Sequence, residues 1–150
     1  MIRKLKSLGR LASTELSYRI GRISKQRFRF DSASSLEALG EYRRCIGHCE
    51  QFLLVYSNDV VRGRLAYCYG EIGDWEKAAD TYRSMKDVWR DPMDALGLVL
   101  SELRAGRPSA AQRAFKVAEL AHGHRSGNVQ RLMNILRHEL SAFDFDSNDA

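Results

Sequence analysis

Three glycines, Gly40, Gly73 and Gly106, stand 33 residues apart, and the residues behind them match at fixed offsets. Five positions on are Cys45, Ala78 and Ala111; nine on are Cys49, Tyr82 and Phe115; twelve on are Phe52, Met85 and Ala118. A small residue and then a bulkier one at helical spacing, behind a turn glycine, marks a helix that approaches its neighbour closely. Repetition at this period is the signature of stacked helix pairs. It restricts the chain to a helical repeat, and such repeats mostly present surfaces to other proteins.

Length and composition agree. A chain of 150 residues makes one domain and buries a sizeable core without disulfides. Its two prolines, Pro92 and Pro108, both sit just inside expected helix starts. No apolar run approaches the ~20 residues of a membrane-spanning helix.

The segment from Asp59 to Pro92 resembles a tetratricopeptide repeat. Leu65, Ala66 and Tyr69 stand where that family's first helix has its leucine, small residue and tyrosine. Gly73, Asp74 and Trp75 are similar to its turn, and Ala78, Tyr82 and Pro92 continue the pattern. The next copy, from Pro92 to about Arg125, keeps Leu98, Gly106, Ala111, Phe115 and Ala118, and departs at Val99 and Glu102. The first unit, ahead of Asp59, keeps only its second half. The resemblance implies an all-α, TPR-like right-handed α-solenoid of antiparallel helix pairs, with a C-terminal capping helix and an N-terminal basic amphipathic helix.

Local signals place the elements. Ser34 with Glu37 reads as a capping box that opens a helix running through Gly40 as far as Tyr56. Asp59 is expected to cap a helix ending near Ile72, and Asp74 the next. Asp91–Pro92 starts a fourth helix, Pro108 a fifth to about His122, and a last one spans about Asn128 to Phe143. These helices make a repeat domain over residues 31–143, with an acidic tail, 144–150, behind it.

Charge is concentrated at the other end. Residues 1–30 carry nine Lys or Arg and one acid, Glu15. Ile2, Leu5, Leu8, Leu11, Ala12, Leu16, Ile20 and Ile23 recur there at helical spacing, with Arg3, Lys4, Lys6, Arg10 and Arg22 mostly on the other side. Next comes a basic stretch with Lys25, Arg27, Arg29, Phe28 and Phe30. Four roles fit such a segment: a helix lying in an anionic membrane interface, a cap packed on the first repeat, a mitochondrial presequence, or a phosphate-binding arm for nucleic acid. The matching locations are the cytoplasm with membrane association, or the mitochondrion.

Candidate chemistry is sparse. Cys45, His48, Cys49 and Cys68 lack the paired Cys-x2-Cys spacing of structural zinc, and two of them occupy repeat core positions, so they read as core. His122 and His124 flank Gly123 in an expected solvated connection, and no phosphate loop or nucleophile elbow is present. No catalytic residue, metal or cofactor is expected. The inner faces of the first helices would offer Val60, Arg64, Tyr67, Met93, Leu96, Leu100, Leu103 and Arg104, an apolar groove with a basic edge. That groove suits an amphipathic helix or extended apolar segment of a protein partner; the alternative is that Leu96, Leu100 and Leu103 only pack against the last helix or the chain's own first helix. It lacks the asparagine of the carboxylate clamp in chaperone-binding members of the family. The expected function is a non-catalytic adaptor or assembly factor, attached to a membrane surface or larger complex by its basic helix. The alternatives are a nucleic-acid- or ribosome-associated protein and an accessory module of a multi-chain enzyme.

Overall fold

The computed structural model describes residues 2–143, with side chains from residue 4 onward. The tail 144–150 and the side chain of Arg3 lie outside the described residues. Among the described residues there are eight helices and no strand, as the period requires: α1 (Ile2–Arg19), α2 (Lys25–Leu39), α3 (Tyr42–Leu53), α4 (Asp59–Glu71), α5 (Trp75–Arg83), α6 (Pro92–Arg104), α7 (Pro108–His122) and α8 (Asn128–Ser141). Two compact units form, Met1–Asp74 and Trp75–Ala150.

The period is written in the backbone. Gly40, Gly73 and Gly106 adopt φ of 80°, 81° and 74°, the left-handed region where a Cβ is penalised. Each glycine N–H donates to the carbonyl three residues back, on Glu37, Gly70 and Leu103, at 3.0–3.1 Å. The next N–H, of Glu41, Asp74 or Arg107, donates to the carbonyl five back, on Leu36, Tyr69 or Glu102, at 2.9 Å. This pair of bonds is the Schellman termination, which satisfies the orphan carbonyls of the helix end. The same turn thus stops α2, α4 and α6.

Gly40 therefore ends a helix instead of passing through one. The expected capping box fails for the same reason. Ser34 lies inside α2, whose cap is Ser24, its Oγ accepting from the Arg27 N–H at 3.2 Å. Residues 25–39 form one helix, so the boundary expected at 30/31 falls within it. This helix stands before Gly40 where α4 and α6 stand before Gly73 and Gly106, and its small buried residues are Ser32 and Ala33. Asn58, and not Asp59, caps α4 through the Val61 N–H at 3.1 Å, while Asp91 caps α6 through Met93 as expected.

In the first unit α1 packs on α2, α2 on α3 and α3 on α4, with α4 also reaching α2. Cys45, Cys49 and Phe52 join Ala33, Leu36, Ala66 and Cys68 in its buried interior. Polar links cross it: Tyr69 donates to Glu50 Oε1 at 2.5 Å, and Arg64 Nε to Glu37 Oε2 at 2.5 Å, its guanidinium lying 5.4 Å from the Phe30 ring centroid. His48 is edge-on to Phe28, which stacks on Tyr18. Burial is the main cause that holds the His48 imidazole below its ordinary pKa; nearby Cys45 opposes the shift and Arg44 adds to it. The unfolded chain then binds the proton more readily, so His48 contributes stability at neutral pH that is lost on acidification below about 6.5. Exchange protection of α2 and α3 should fall between about pH 7 and 5, and His48→Phe should flatten that fall; an unchanged profile in the variant would remove His48 as its cause.

In the second unit α5 packs on α6, α6 on α7, and α8 on both α6 and α7. Ala95, Val99, Ala111, Phe115, Met133, Leu136 and Leu140 form one cluster, so the apolar side expected of the last helix is its buried side. Glu102, 2% exposed, is met by Arg83 and by Arg107 Nε at 2.9 Å. His122, expected in a solvated connection, is the buried last residue of α7, its Nε2 lying 2.7 Å from the Trp89 carbonyl.

Candidate interaction surfaces

The residues expected to line an apolar groove part company. On α4, Val60 and Tyr67 are exposed, while Arg64 is drawn inward by Glu37 and braces α4 against α2. On α6, Met93 is exposed, but Leu96 and Leu103 are buried and Leu100 packs against the same core. The apolar side of α8 occupies the surface these leucines would have offered. Arg104 is held by Glu139 of α8 at 3.0 Å. Leu96, Leu100, Leu103 and Arg104 are thus closure of the second unit and not a free groove.

Sequence reasoning missed the neighbour of Tyr67. The Tyr42 ring of α3 meets it edge-on, with centroids 6.1 Å apart. Burial, the hydrogen bond with Tyr42 and the Glu71 carboxylate all push the Tyr67 phenol above its ordinary pKa, keeping it a neutral hydrogen-bonding group. Val60 and Tyr67 lie seven residues apart on one side of α4, so with Tyr42 they form an exposed aromatic and aliphatic patch in the first unit.

The basic residues also divide. Lys4, Lys6, Arg10, Arg22 and Lys25 are exposed. Arg27 pairs with Asp31 at 2.6 Å, and Arg29 donates to the Gln51 carbonyl at 2.7 Å and its Oε1 at 3.1 Å, linking α2 to α3. These two hold structure and are not free anion-binding groups.

The most unexpected surface is α1. Its side toward α2 is mixed: Ser7 is buried, Leu11, Thr14 and Ser17 are half-buried, and the Tyr18 ring stacks on Phe28. The opposite side carries Leu5, Leu8, Leu16 and Ile20, each 53–60% exposed. Leu11, grouped by its spacing with the stripe, is on the α2 side instead. Beside the stripe an open cleft of about 700 Å³ lies between α1 and α2, lined by Lys6, Arg10, Ser13 and Thr14 and facing Arg27 and Ser34.

The three cysteines are free and fully buried, with Cys45 Sγ 3.9 Å from Cys49 Sγ and 3.3 Å from the Ala33 carbonyl. Hydrogen bonding to Cys45, then burial, pushes the Cys49 and Cys68 thiols up, away from the thiolate form. No group of three or more His, Cys, Asp or Glu side chains able to hold a metal ion occurs among the described residues. No described helix is long and apolar enough to cross a membrane.

No family model, curated protein or solved structure matches the chain.

Proposed function

We propose that this chain is a non-catalytic adaptor or assembly factor built from tetratricopeptide-like antiparallel helix pairs of the right-handed solenoid kind, α8 acting as the capping helix. The observation that supports this reading most is the recurrence, every 33 residues, of one left-handed glycine turn with one hydrogen-bond pattern. Behind each turn Cys45, Ala78 and Ala111 are all fully buried, and Cys49, Tyr82 and Phe115 accompany them into the interior. That economy of small contacts belongs to stacked repeats, whose outer surfaces are left for partners.

The protein partner is an amphipathic helix or an extended apolar segment. It is held against Val60, Tyr67 and Tyr42, where aromatic area and a neutral phenol offer both burial and a hydrogen bond. The α1 helix attaches the adaptor to a membrane surface or larger complex.

Crosslinked affinity capture from native cells, washed at low and high salt, tests the reading. The full chain should retain one stoichiometric protein at high salt, and Val60→Glu/Tyr67→Glu should lose it, since both residues are exposed and the variant keeps its fold. Retention by that variant would move the partner elsewhere. Nucleic acid captured only at low salt, and lost in Lys4→Glu/Lys6→Glu/Arg10→Glu, would replace the adaptor reading by a nucleic-acid-associated one, in which the exposed basic residues of the first 30 supply the affinity.

A further inference from the structure

We infer that α1 is an in-plane anchor for an anionic lipid bilayer, its leucine stripe turned into the lipid and α2 carried on the side away from it. The inference rests on the attachment role given to α1 above and names the surface to which it attaches.

An amphipathic helix of a folded protein ordinarily turns its apolar side to the body and its polar side to water. α1 departs from this. Ser7, Leu11 and Thr14 face α2, and Leu5, Leu8, Leu16 and Ile20 are left outward along the opposite side. From Leu5 to Ile20 the stripe runs about 22 Å at 1.5 Å per residue, along the axis of a helix lying flat.

Charge selects the occupant. Lys4, Lys6, Arg10 and Arg19 flank the stripe, and long basic side chains lay their methylenes on an apolar surface while their heads reach headgroup phosphates. The one acid, Glu15, is paired with Arg19 at 2.6 Å. A second copy seated stripe to stripe would bring two such basic segments together, where like charges repel. A nucleic acid would use the cations and leave the leucines in water. An anionic bilayer satisfies both sets of side chains at once.

The test is sedimentation of the full chain with vesicles of phosphatidylcholine alone and of phosphatidylcholine with roughly 30% phosphatidylserine. Binding is expected to the second only, with exchange protection gained across residues 4–20. Leu8→Glu/Leu16→Glu should weaken it about 100-fold, as two leucines leave the lipid; both are exposed, so its circular dichroism should match the parent. Lys6→Glu/Arg10→Glu should weaken it as well. Absence of binding to anionic vesicles overturns the inference, as does binding that the leucine variant leaves unchanged, which would make the contact purely electrostatic. A dimer in solution that the leucine variant dissociates would overturn it too, giving the stripe to a second copy. In each of these cases partner capture through Val60 and Tyr67 still reports on the adaptor reading separately.

Discussion

Replacing Arg83 and Arg107 together by alanine is expected to lower the unfolding free energy of the second unit by about 3–5 kcal/mol, whereas Glu102→Leu should change it by about 1 kcal/mol or less. The contrast arises from which charge is buried. Glu102 is almost wholly out of water, while the two arginines remain partly in it. Remove the arginines and a carboxylate is left buried without compensation. Remove the carboxylate and Arg83 keeps Asp80 at 2.9 Å, with the same carboxylate 3.9 Å from Arg107, so the loss of one partner costs little. Leucine is the natural replacement, because Leu36 stands at the same offset before Gly40 as Glu102 does before Gly106 and is fully buried there. Both tryptophans, Trp75 and Trp89, lie in the second unit, so their fluorescence in denaturant reads this change directly. A destabilised Glu102→Leu with an unaffected arginine pair would reverse the assignment.

The second large effect is expected at Gly97. A Cβ there would stand 2.6 Å from Cζ of Tyr82, inside any van der Waals contact, and Tyr82 is buried with little room to withdraw. Gly97→Val should therefore destabilise the second unit by about 2–3 kcal/mol through overpacking. Gly97→Ala should cost less, because alanine regains up to about 1 kcal/mol of helix propensity. Tyr82→Phe removes the hydroxyl nearest the new methyl, so combining it with Gly97→Val should cost less than the two changes summed. Strict additivity would show that the ring, and not its hydroxyl, sets the limit.

Much of this architecture is legible in the sequence because it depends on small residues at fixed places. A turn glycine and the alanines or cysteines behind it leave a trace that survives in single letters. The helix before Gly40 leaves none: Ser32, Ala33 and Ser35 are buried in α2, but clustered serines read as a cap or a loop. The apparent capping box at Ser34 is a coincidence of spacing, and Ser24 has no acid three residues on to advertise it.

The candidate surface is less legible for a different reason. Helical spacing shows which residues share a side but not what will cover that side. Leu96 and Leu103 have the right period for a groove and the same period for a core, and α8 decides between them. The stripe on α1 is plainly apolar in the sequence, yet its outward direction comes from Ser7 and Thr14, which the spacing gives no reason to prefer as a contact. Arg64 has the spacing of a rim charge, and only the fold brings Glu37 within 2.5 Å of it from 27 residues away.

The glycine turns also determine where this chain can change length. Each Schellman bond pair spans only a few residues, with no slack, so one residue inserted beside Gly40 or Gly106 would rotate the adjoining helix by about 100°. That rotation would carry Cys45 and Cys49, or Ala111 and Phe115, out of the interior and bring polar neighbours in. The stretches at residues 54–58 and 123–127 carry no such bond pair, and insertions, affinity tags or protease sites belong there. Growth of a protein like this is therefore one-sided: one set of connections sets the register of the helices, and the other is open to added residues.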